Sequence, residues 1–100
     1  MPTITLREIT KSDVWPVSQL SRTLQKPQSK ALAPNAFSLA EAHVNPSAWA
    51  QAIYADDDPV GFLMLDDKPD KQECLLWRLM IAAPHQGRGY GRDAIERLID

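Results

Sequence analysis

Apolar and polar side chains alternate along Thr3–Ile9, with Ile4 and Leu6 on the apolar side. This two-residue period predicts a half-buried β-strand. Ser12–Asp13 has the composition of a helix start, and the helix is expected to end before Pro27. The residues at helical spacing on its apolar face are Val14, Val17, Leu20 and Leu24.

The middle of the chain predicts a second helix and an antiparallel hairpin. Phe37–His43 is interpreted as a short helix. Its expected apolar side consists of Ala36, Leu39 and Ala40. Trp49–Ala55 and Val60–Leu65 are interpreted as two strands, because the turn sequence Asp56–Pro59 connects them closely.

The last part of the chain combines an apolar run, a glycine-rich segment and a helical period. Cys74–Ala82 is almost continuously apolar, which is typical of a central strand covered on both faces. Gly87–Gly91 has glycine at alternate positions, and Arg92–Asp100 predicts a helix. Since a crossover helix normally leads into another strand, we expect an α/β domain that is cut inside a β-α-β unit.

Composition and charge narrow the class of protein. The chain has 100 residues, a net charge of −2 and 44% hydrophobic residues, which predicts a single domain over residues 1–100. A pI near 5.6 argues against nucleic-acid binding, which needs a basic surface. No apolar run reaches the roughly 18 residues of a membrane span, and the N-terminus lacks a signal-peptide pattern. We therefore expect a cytoplasmic protein without membrane contact.

Cysteine and histidine are too sparse to predict a thiol or metal centre. Cys74 is the only cysteine, so neither an intrachain disulfide nor a cysteine-based zinc cluster is expected. His43 and His85 lack the spacing of metal ligands, so no metal is expected. The candidate chemistry therefore lies in the charged and glycine-rich segments.

The segment Gln86–Arg92 lies between a predicted strand and a predicted helix. Its glycines let backbone N–H groups approach an anion, and a helix N-terminus adds partial positive charge. Arg88 and Arg92 add full positive charges, so we expect a pyrophosphate ligand. The spacing lacks both the lysine of a Walker loop and the G-x-G-x-x-G of a dinucleotide fingerprint.

The segment Gln86–Gly91 matches the Q/R-x-x-G-x-G/A signature of the GNAT family of N-acetyltransferases, which this chain resembles. The strand residues Leu79–Ile81, Ile4–Arg7 and Pro59–Phe62 fit the same family's order of elements. The resemblance implies a GNAT-like three-layer α/β fold with a mixed, mostly antiparallel sheet and flanking helices, truncated after the helix that follows the glycine-rich loop. It also implies an enzyme that transfers acetyl from acetyl-CoA to a primary amine by direct attack in a ternary complex.

The resemblance further implies which residues bind acetyl-CoA. In the family, the loop and the helix N-terminus hold the pyrophosphate, and the backbone of the preceding strand pairs with the pantetheine arm. The pyrophosphate residues would be Gln86, Gly87, Arg88, Gly89, Tyr90, Gly91 and Arg92. The pantetheine residues would be Leu79, Met80 and Ile81.

Within the family, the sequence looks most like the bacterial diamine and polyamine acetyltransferases. Asp56–Glu73 contains seven acids and two lysines, which predicts a patch that attracts a polycationic acceptor. The alternative is that these acids are solvated hairpin tips and loops. Phe37 and Leu39 are candidates for lining the acceptor pocket, and Arg78 is interpreted as part of a structural ion pair.

The catalytic base is the first gap in this resemblance. An acceptor amine must lose a proton before it attacks a thioester, so a base is expected. Similar polyamine enzymes carry a carboxylate at the position of Trp77. Glu73 lies four residues earlier on the same expected strand face and is the catalytic candidate, ahead of Glu41 and His85.

The catalytic acid is the second gap. The family's tyrosine lies in a segment after the glycine-loop helix, and neither Tyr54 nor Tyr90 matches its position. A strand of that segment would also cover Cys74–Ala82, so we expect an exposed edge that pairs with a second copy, giving a homo-oligomer, or with a complementary fragment. The alternative function is a truncated, non-catalytic chain that binds CoA or folds only with a partner.

Overall fold

The computed structural model describes residues 2–24, 34–68 and 73–99, with the side chains of Lys68 and Glu73 outside that description. Its strands are β1 (Ile4–Glu8), β2 (Ala48–Ala55), β3 (Asp58–Lys68) and β4 (Glu73–Ile81). Its α-helices are α1 (Val14–Gln19), α2 (Asn35–Val44) and α3 (Tyr90–Ile99). Short 3-10 turns follow α1 at Leu20–Thr23 and β4 at Ala83–His85.

The four strands form one sheet in the order β1-β2-β3-β4, and each neighbouring pair is antiparallel. β2 and β3 form the hairpin that the sequence predicts. At its turn, the backbone N–H of Thr3 donates to Asp56 Oδ1 at 2.9 Å. The guanidinium of Arg7 donates to the Asp56 carbonyl at 2.7 Å, so β1 is tied to the hairpin through this turn.

Helices cover both faces of the sheet, so the described chain has three layers. On one face, Tyr90 and Ala94 of α3 pack with Leu63. On the other face, Val17 of α1 packs with Phe62. This arrangement confirms the expected three-layer α/β fold, with a sheet that is entirely antiparallel within the described residues.

The buried face of α2 differs from the one that hydrophobicity predicts. Ala36 and Ala40 are not buried, whereas Asn35 and Ser38 are. Asn35 Nδ2 donates to the carbonyl of Val17 at 2.9 Å, and the Ser38 hydroxyl accepts a hydrogen bond from β4. Leu39 packs against the core as predicted. The apolar pattern was therefore wrong for Ala36 and Ala40, because hydrogen-bonded polar side chains are also stable when buried.

The coverage of β4 also differs from the prediction. Leu75 is 62% exposed and Leu76 is 43% exposed, whereas Met80 is 6% exposed. β4 lies at an edge of the described sheet. The prediction of a strand covered on both faces is therefore wrong for its first half, and the exposed apolar edge that we expected is present there within the described residues.

Candidate cofactor and acceptor site

The glycine-rich segment forms an exposed turn between β4 and α3. Gly87 and Gly89 have φ angles of 79° and 80°, a left-handed conformation that favours glycine because it has no Cβ. Asp93 N donates to Gly89 O at 3.0 Å, so α3 starts directly after the turn. Because the first N–H groups of a helix have no partner within the helix, this turn and helix start have the features of an anion site.

Two arginines place positive charge beside the helix start. Arg88 is exposed in the turn, and the side chain of Arg92 in the first turn of α3 is 85% exposed. Arg92 Nε lies 3.4 Å from Glu96 Oε1, an exposed ion pair that water weakens. A bound phosphate would therefore compete with only a weak interaction for Arg92.

The second half of β4 offers backbone groups at its outer edge. Ala82 N donates to β3 at 2.8 Å, and the direction of backbone groups alternates along an antiparallel strand. Met80 therefore turns its N–H and C=O toward β3, whereas Leu79 and Ile81 turn theirs outward. Consistently, Gln86 Nε2 donates to the carbonyl of Ile81 at 2.9 Å. Two of the three residues predicted to pair with pantetheine thus present outward backbone groups.

A β-bulge interrupts β4 at Trp77. Met64 of β3 is opposite Arg78, and the next β3 residue, Leu65, is opposite Leu76. Trp77 therefore has no partner in the register. A bulge bends its strand and changes the direction of nearby side chains, so the two-residue alternation assumed from the sequence does not continue across this position.

Arg78 lies next to the bulge and is bound to α2. Its Nη1 donates to Ser38 Oγ at 3.1 Å and also to the carboxylate of Glu41. The guanidinium carbon lies 4.9 Å from the ring centre of Trp77 and 5.9 Å from that of Phe37. We call these five residues the Arg78 cluster. The ion pair expected for Arg78 is present, and it joins α2 to β4 beside the bulge.

The other catalytic candidates lie apart from this cluster. Glu73 is the first residue of β4, opposite Lys68 in the register, and its side chain lies outside the described structure. His85 lies in the 3-10 turn before the glycines, with its ring centre 6.5 Å from that of Tyr90. The Tyr90 side chain is buried in the core beneath α3, so its part in anion binding is limited to its backbone.

Tyr54 takes part in a separate polar contact on β2. Its hydroxyl donates to Asp13 Oδ2 at 2.9 Å, and burial together with this neighbour raises the pKa of Tyr54. Burial also acts to raise the pKa of Asp13, but hydrogen bonds from Thr10 and Tyr54 outweigh it and hold that pKa below the ordinary 3.8. β3 separates β2 from β4, a distance of roughly 10 Å at the usual strand spacing. Tyr54 is therefore far from the outer edge of β4.

The acids of Asp56–Glu73 do not form one patch. Asp56–Asp58 lie at the turn between β2 and β3, whereas Asp66 and Asp67 lie at the other end of β3, roughly 30 Å away at the usual rise per residue. In residues 68–73, part of which lies outside the description, two lysines balance two acids. The single acidic patch predicted from the sequence is therefore wrong.

An apolar cavity of about 430 Å³ lies between the end of α3 and the exposed half of β4. Its lining residues are Trp49, Leu65, Asp67, Cys74, Leu98 and Ile99. Over the described residues, no group of three or more His, Cys, Asp or Glu side chains is arranged to hold a metal. Among residues 2–24, 34–68 and 73–99, no helix is long and apolar enough to cross a membrane.

The sequence pattern did not group the members of the Arg78 cluster. Ser38 and Glu41 are three residues apart and therefore neighbours on one face of α2. The recurrence of polar residues at Asn35, Ser38 and Glu41 is the signal that could have revealed a polar face directed at the sheet. The bulge that brings Trp77 beside Arg78 has no counterpart in the sequence pattern.

Residues 11–100 match the model of the Acetyltransferase (GNAT) family. The chain belongs to the GNAT family. The match includes the sheet residues from β2 onward, the glycine turn and α3. Members of this family are acetyl-CoA-dependent N-acetyltransferases, which is the class of enzyme to which the chain belongs.

Solved acetyltransferase structures resemble this GNAT chain. An acetyltransferase from Thermus thermophilus is 28% identical with a TM-score of 0.68, over 99% of this chain and 70% of that one. RimL, a ribosomal L7/L12 alpha-N-protein acetyltransferase in complex with coenzyme A, is 15% identical with a TM-score of 0.68, over 97% of this chain and 62% of that one.

A third structure, the ribosomal-protein-alanine N-acetyltransferase from Brucella melitensis biovar Abortus 2308, is 19% identical with a TM-score of 0.63. It is matched over 100% of this chain and 70% of its own length. The GNAT chain thus spans 62–70% of the length of these proteins. A search of curated proteins found no match.

Proposed function

We propose that this GNAT chain binds acetyl-CoA and transfers its acetyl group to a primary amine by direct attack in a ternary complex. The observation that carries the proposal is the glycine turn at the start of α3, beside the outward backbone groups of Leu79 and Ile81. When bound, acetyl-CoA supplies an activated thioester, which the amine converts to an amide with release of the CoA thiol. The family match and a CoA-bound structural neighbour support this cofactor.

The described residues fit the two ends of this cofactor. We assign the pyrophosphate to Gln86–Arg92, where backbone N–H groups and the charges of Arg88 and Arg92 meet at a helix start. We assign the peptide-like amides of pantetheine to the outward N–H groups of Leu79 and Ile81 and to the C=O of Leu79, in the manner of an added strand. The carbonyl of Ile81 already accepts from Gln86 Nε2. Binding here orients the cofactor along β4 and toward the bulge.

Tyr90 and Met80, which the resemblance assigns to cofactor binding, have buried side chains that cannot contact the cofactor. The ring of Tyr90 and the side chain of Met80 are buried, on opposite faces of the sheet. Their packing fixes α3 and β4, the two elements that meet at the glycine turn. We therefore propose that both residues act through the backbone positions they hold.

A base is required for the proposed reaction. Deprotonating an amine with a pKa near 10.4 at pH 7 costs about 4.6 kcal/mol, so a neighbouring acceptor for the proton accelerates transfer. Glu41 is bound to Arg78, and using it as a base would disrupt that ion pair. Glu73, at the start of β4, is therefore the base that we propose. Because it lies four residues from Trp77 on β4, roughly 13 Å at the usual rise per residue, it would take the proton through a relay of water molecules.

The proposed acceptor is a primary amine, and a polyamine remains a prediction from the sequence resemblance alone. The acids that suggested a polycationic acceptor lie at opposite ends of β3, so they do not support that choice. The names of two structural neighbours describe ribosomal-protein acetyltransferases. Their sequences are 15% and 19% identical to this one, which supports a common fold but not a common acceptor.

A second candidate function is a non-catalytic chain that binds CoA or needs a partner. The chain spans 62–70% of the length of its structural neighbours, and Leu75 and Leu76 are exposed on β4. An exposed apolar strand edge favours pairing with another chain. Acetyl-CoA binding without transfer to any amine would support this second candidate.

The proposal is tested by calorimetric titration of the chain with acetyl-CoA, ATP and NAD. We expect saturable binding of acetyl-CoA alone. Gly89→Asp should abolish this binding, because it places a negative charge where the pyrophosphate binds. Gly89→Asn is the matched control, since asparagine has nearly the same shape, carries no charge and tolerates a positive φ better than most residues.

Each outcome of the titration has a definite meaning. Binding that survives in Gly89→Asn but not in Gly89→Asp would support the pyrophosphate assignment, and an amine panel that includes polyamines would then follow. Equal loss in both variants would indicate backbone strain rather than charge. A folded wild-type chain that does not bind acetyl-CoA would contradict the proposed function of this chain.

A further inference from the structure

The Arg78 cluster lies at the far end of the proposed cofactor edge. Ile81 and the bulge residue Trp77 are four residues apart on β4, roughly 13 Å at the usual rise per residue. An extended arm that begins at the glycine turn and follows the outward groups of Leu79 and Ile81 leads toward the bulge. With the cofactor bound as proposed, an acceptor amine would therefore enter beside Trp77 and Arg78.

The guanidinium of Arg78 is fixed in position but not enclosed. Ser38 and Glu41 both bind its Nη1, and among the described residues Nη2 and Nε form no hydrogen bond. The side chains of Arg78 and Glu41 are 17% and 24% exposed, so a ligand can reach the pair. The cluster therefore presents free N–H donors next to a carboxylate acceptor.

The charges of the cluster cancel, which affects the kind of acceptor it favours. Arg78 and Glu41 are its only charged members, with Trp77 and Phe37 beside them. A polyamine has several separated cations and would meet a fixed guanidinium here. An amine with a neighbouring carbonyl oxygen matches the pair better, because the carboxylate accepts from the amine while the guanidinium donates to the oxygen.

We propose that Arg78 and Glu41 are specificity-determining residues that select an α-amine next to a carbonyl group, as at the N-terminus of a peptide, over an alkylamine or a polyamine. This inference rests on the proposed function for the place of the thioester. The exposed rings of Trp77 and Phe37 flank the pair and offer an apolar surface to the first side chain of such a peptide. Arg78 is thus a binding residue for the acceptor as well as a link between α2 and β4.

The test is an NMR titration of the CoA-saturated chain with three probes. They are a short uncharged peptide amide with a free α-amine, butylamine as a matched amine without a carbonyl, and spermidine. We expect the peptide to bind about tenfold more tightly than butylamine, the factor supplied by one hydrogen bond to a charged donor. Shifts should concentrate on Ser38, Glu41 and Arg78.

Two variants separate recognition from folding. Arg78→Gln should bring the peptide-to-butylamine ratio of affinities close to one, while acetyl-CoA affinity stays within about twofold. Arg78→Lys keeps the positive charge and the ion pair but removes the planar fork, so it should fold like the wild type and lose most of the preference. The second variant keeps the proposal testable if Arg78→Gln does not fold.

The outcomes distinguish this inference from the proposed function. Spermidine or butylamine binding as tightly as the peptide, no binding of any probe, or a preference unchanged in Arg78→Lys would overturn the inference. If acetyl-CoA still bound in those cases, the proposed function would stand. A peptide preference in a chain that binds CoA but transfers no acetyl group to any amine would instead preserve the inference for acceptor binding and contradict the proposed function.

Discussion

The two halves of β4 have similar apolar sequences but opposite environments. Leu75 and Leu76, before the bulge, are largely exposed, whereas Met80, after it, is almost fully buried. The bulge at Trp77 separates the two halves. The buried half has outward backbone groups that we assign to the proposed cofactor, and the exposed half forms an apolar surface. An apolar run therefore predicts a strand more reliably than it predicts which part of that strand is covered.

Truncating one side chain in each half should give the largest contrast. We expect Met80→Ala to lower the free energy of unfolding by about 2–5 kcal/mol, because it leaves a cavity on the face of the sheet that α1 and α2 cover and removes the sulfur that accepts from Asn35 Nδ2. Leu75→Ala should change it by no more than about 0.5 kcal/mol, since this side chain is already solvated. Urea denaturation of both variants measures the difference. A similar loss in both would show that the first half of β4 is covered in solution.

A smaller loss of stability is expected from a change where β3 pairs with the buried half of β4. A Cβ at Gly61 would press against the carbonyl of Met80 and lie 2.8 Å from Ile81 Cδ1. Gly61→Ala should therefore force the two strands apart and cost about 1–3 kcal/mol, as overpacking does. Thermal and urea unfolding would report the loss.

Gly91 supplies the matched control for this change. A Cβ there would lie 3.7 Å from the nearest atom, Ile81 Cγ1, which is ordinary contact. Gly91→Ala should be neutral or stabilise α3 by up to about 1 kcal/mol, since alanine has the higher helix propensity. Equal destabilisation by both variants would indicate that the spacing between β3 and β4 is not what restricts Gly61.

The elements of this chain follow from local rules, and the sequence predicted most of them. The alternation at Ile4–Glu8, the turn at Asp56–Pro59 and the glycines before α3 each reflect one short-range preference, so strands, hairpin and helix start were recognised. The glycine turn was predictable for the same reason, because Gly87 and Gly89 need a positive φ.

What the sequence did not predict depends on contacts between distant segments. Glu41 meets Arg78 because α2 crosses the sheet at one place, and a bulge in β4 places Trp77 there too. Buried Asn35 and Ser38 are stable only because partners far along the chain complete their hydrogen bonds. Neither the hydrophobic periodicity of a segment nor its amino-acid composition predicts such contacts between distant residues. The proposed acceptor end of the site was therefore less predictable than the proposed cofactor end.

The smallest change in stability should come from acid. It should act through the hydrogen bond between Tyr54 and Asp13, at the border of the core cluster that also contains Met80. Tyr54 belongs to that core and donates to Asp13, whose pKa lies below its ordinary 3.8 in the folded chain. The unfolded chain therefore takes up this proton more readily, and the contribution of Asp13 to stability is present above pH 3.8 and lost as pH falls through the folded pKa. Unfolding by urea between pH 6 and pH 3 should show this loss in the wild type.

Asp13→Asn should lose less stability than the wild type over that range, because it has no carboxylate to protonate. Asp57→Asn is the matched control, since its side chain is 99% exposed at the hairpin turn and its ion pair with Arg7 at 3.4 Å is weakened by water, and it should follow the wild-type curve closely. Acid that weakens the Asp13 contact should increase the solvent exposure of Met80, which is buried. It should leave the exposure of Leu75 almost unchanged, because that side chain is already 62% exposed. If the Asp13→Asn and wild-type curves coincided, the contact between α1 and β2 would not hold the covered half of β4, and the contrast between its halves would depend on apolar packing alone.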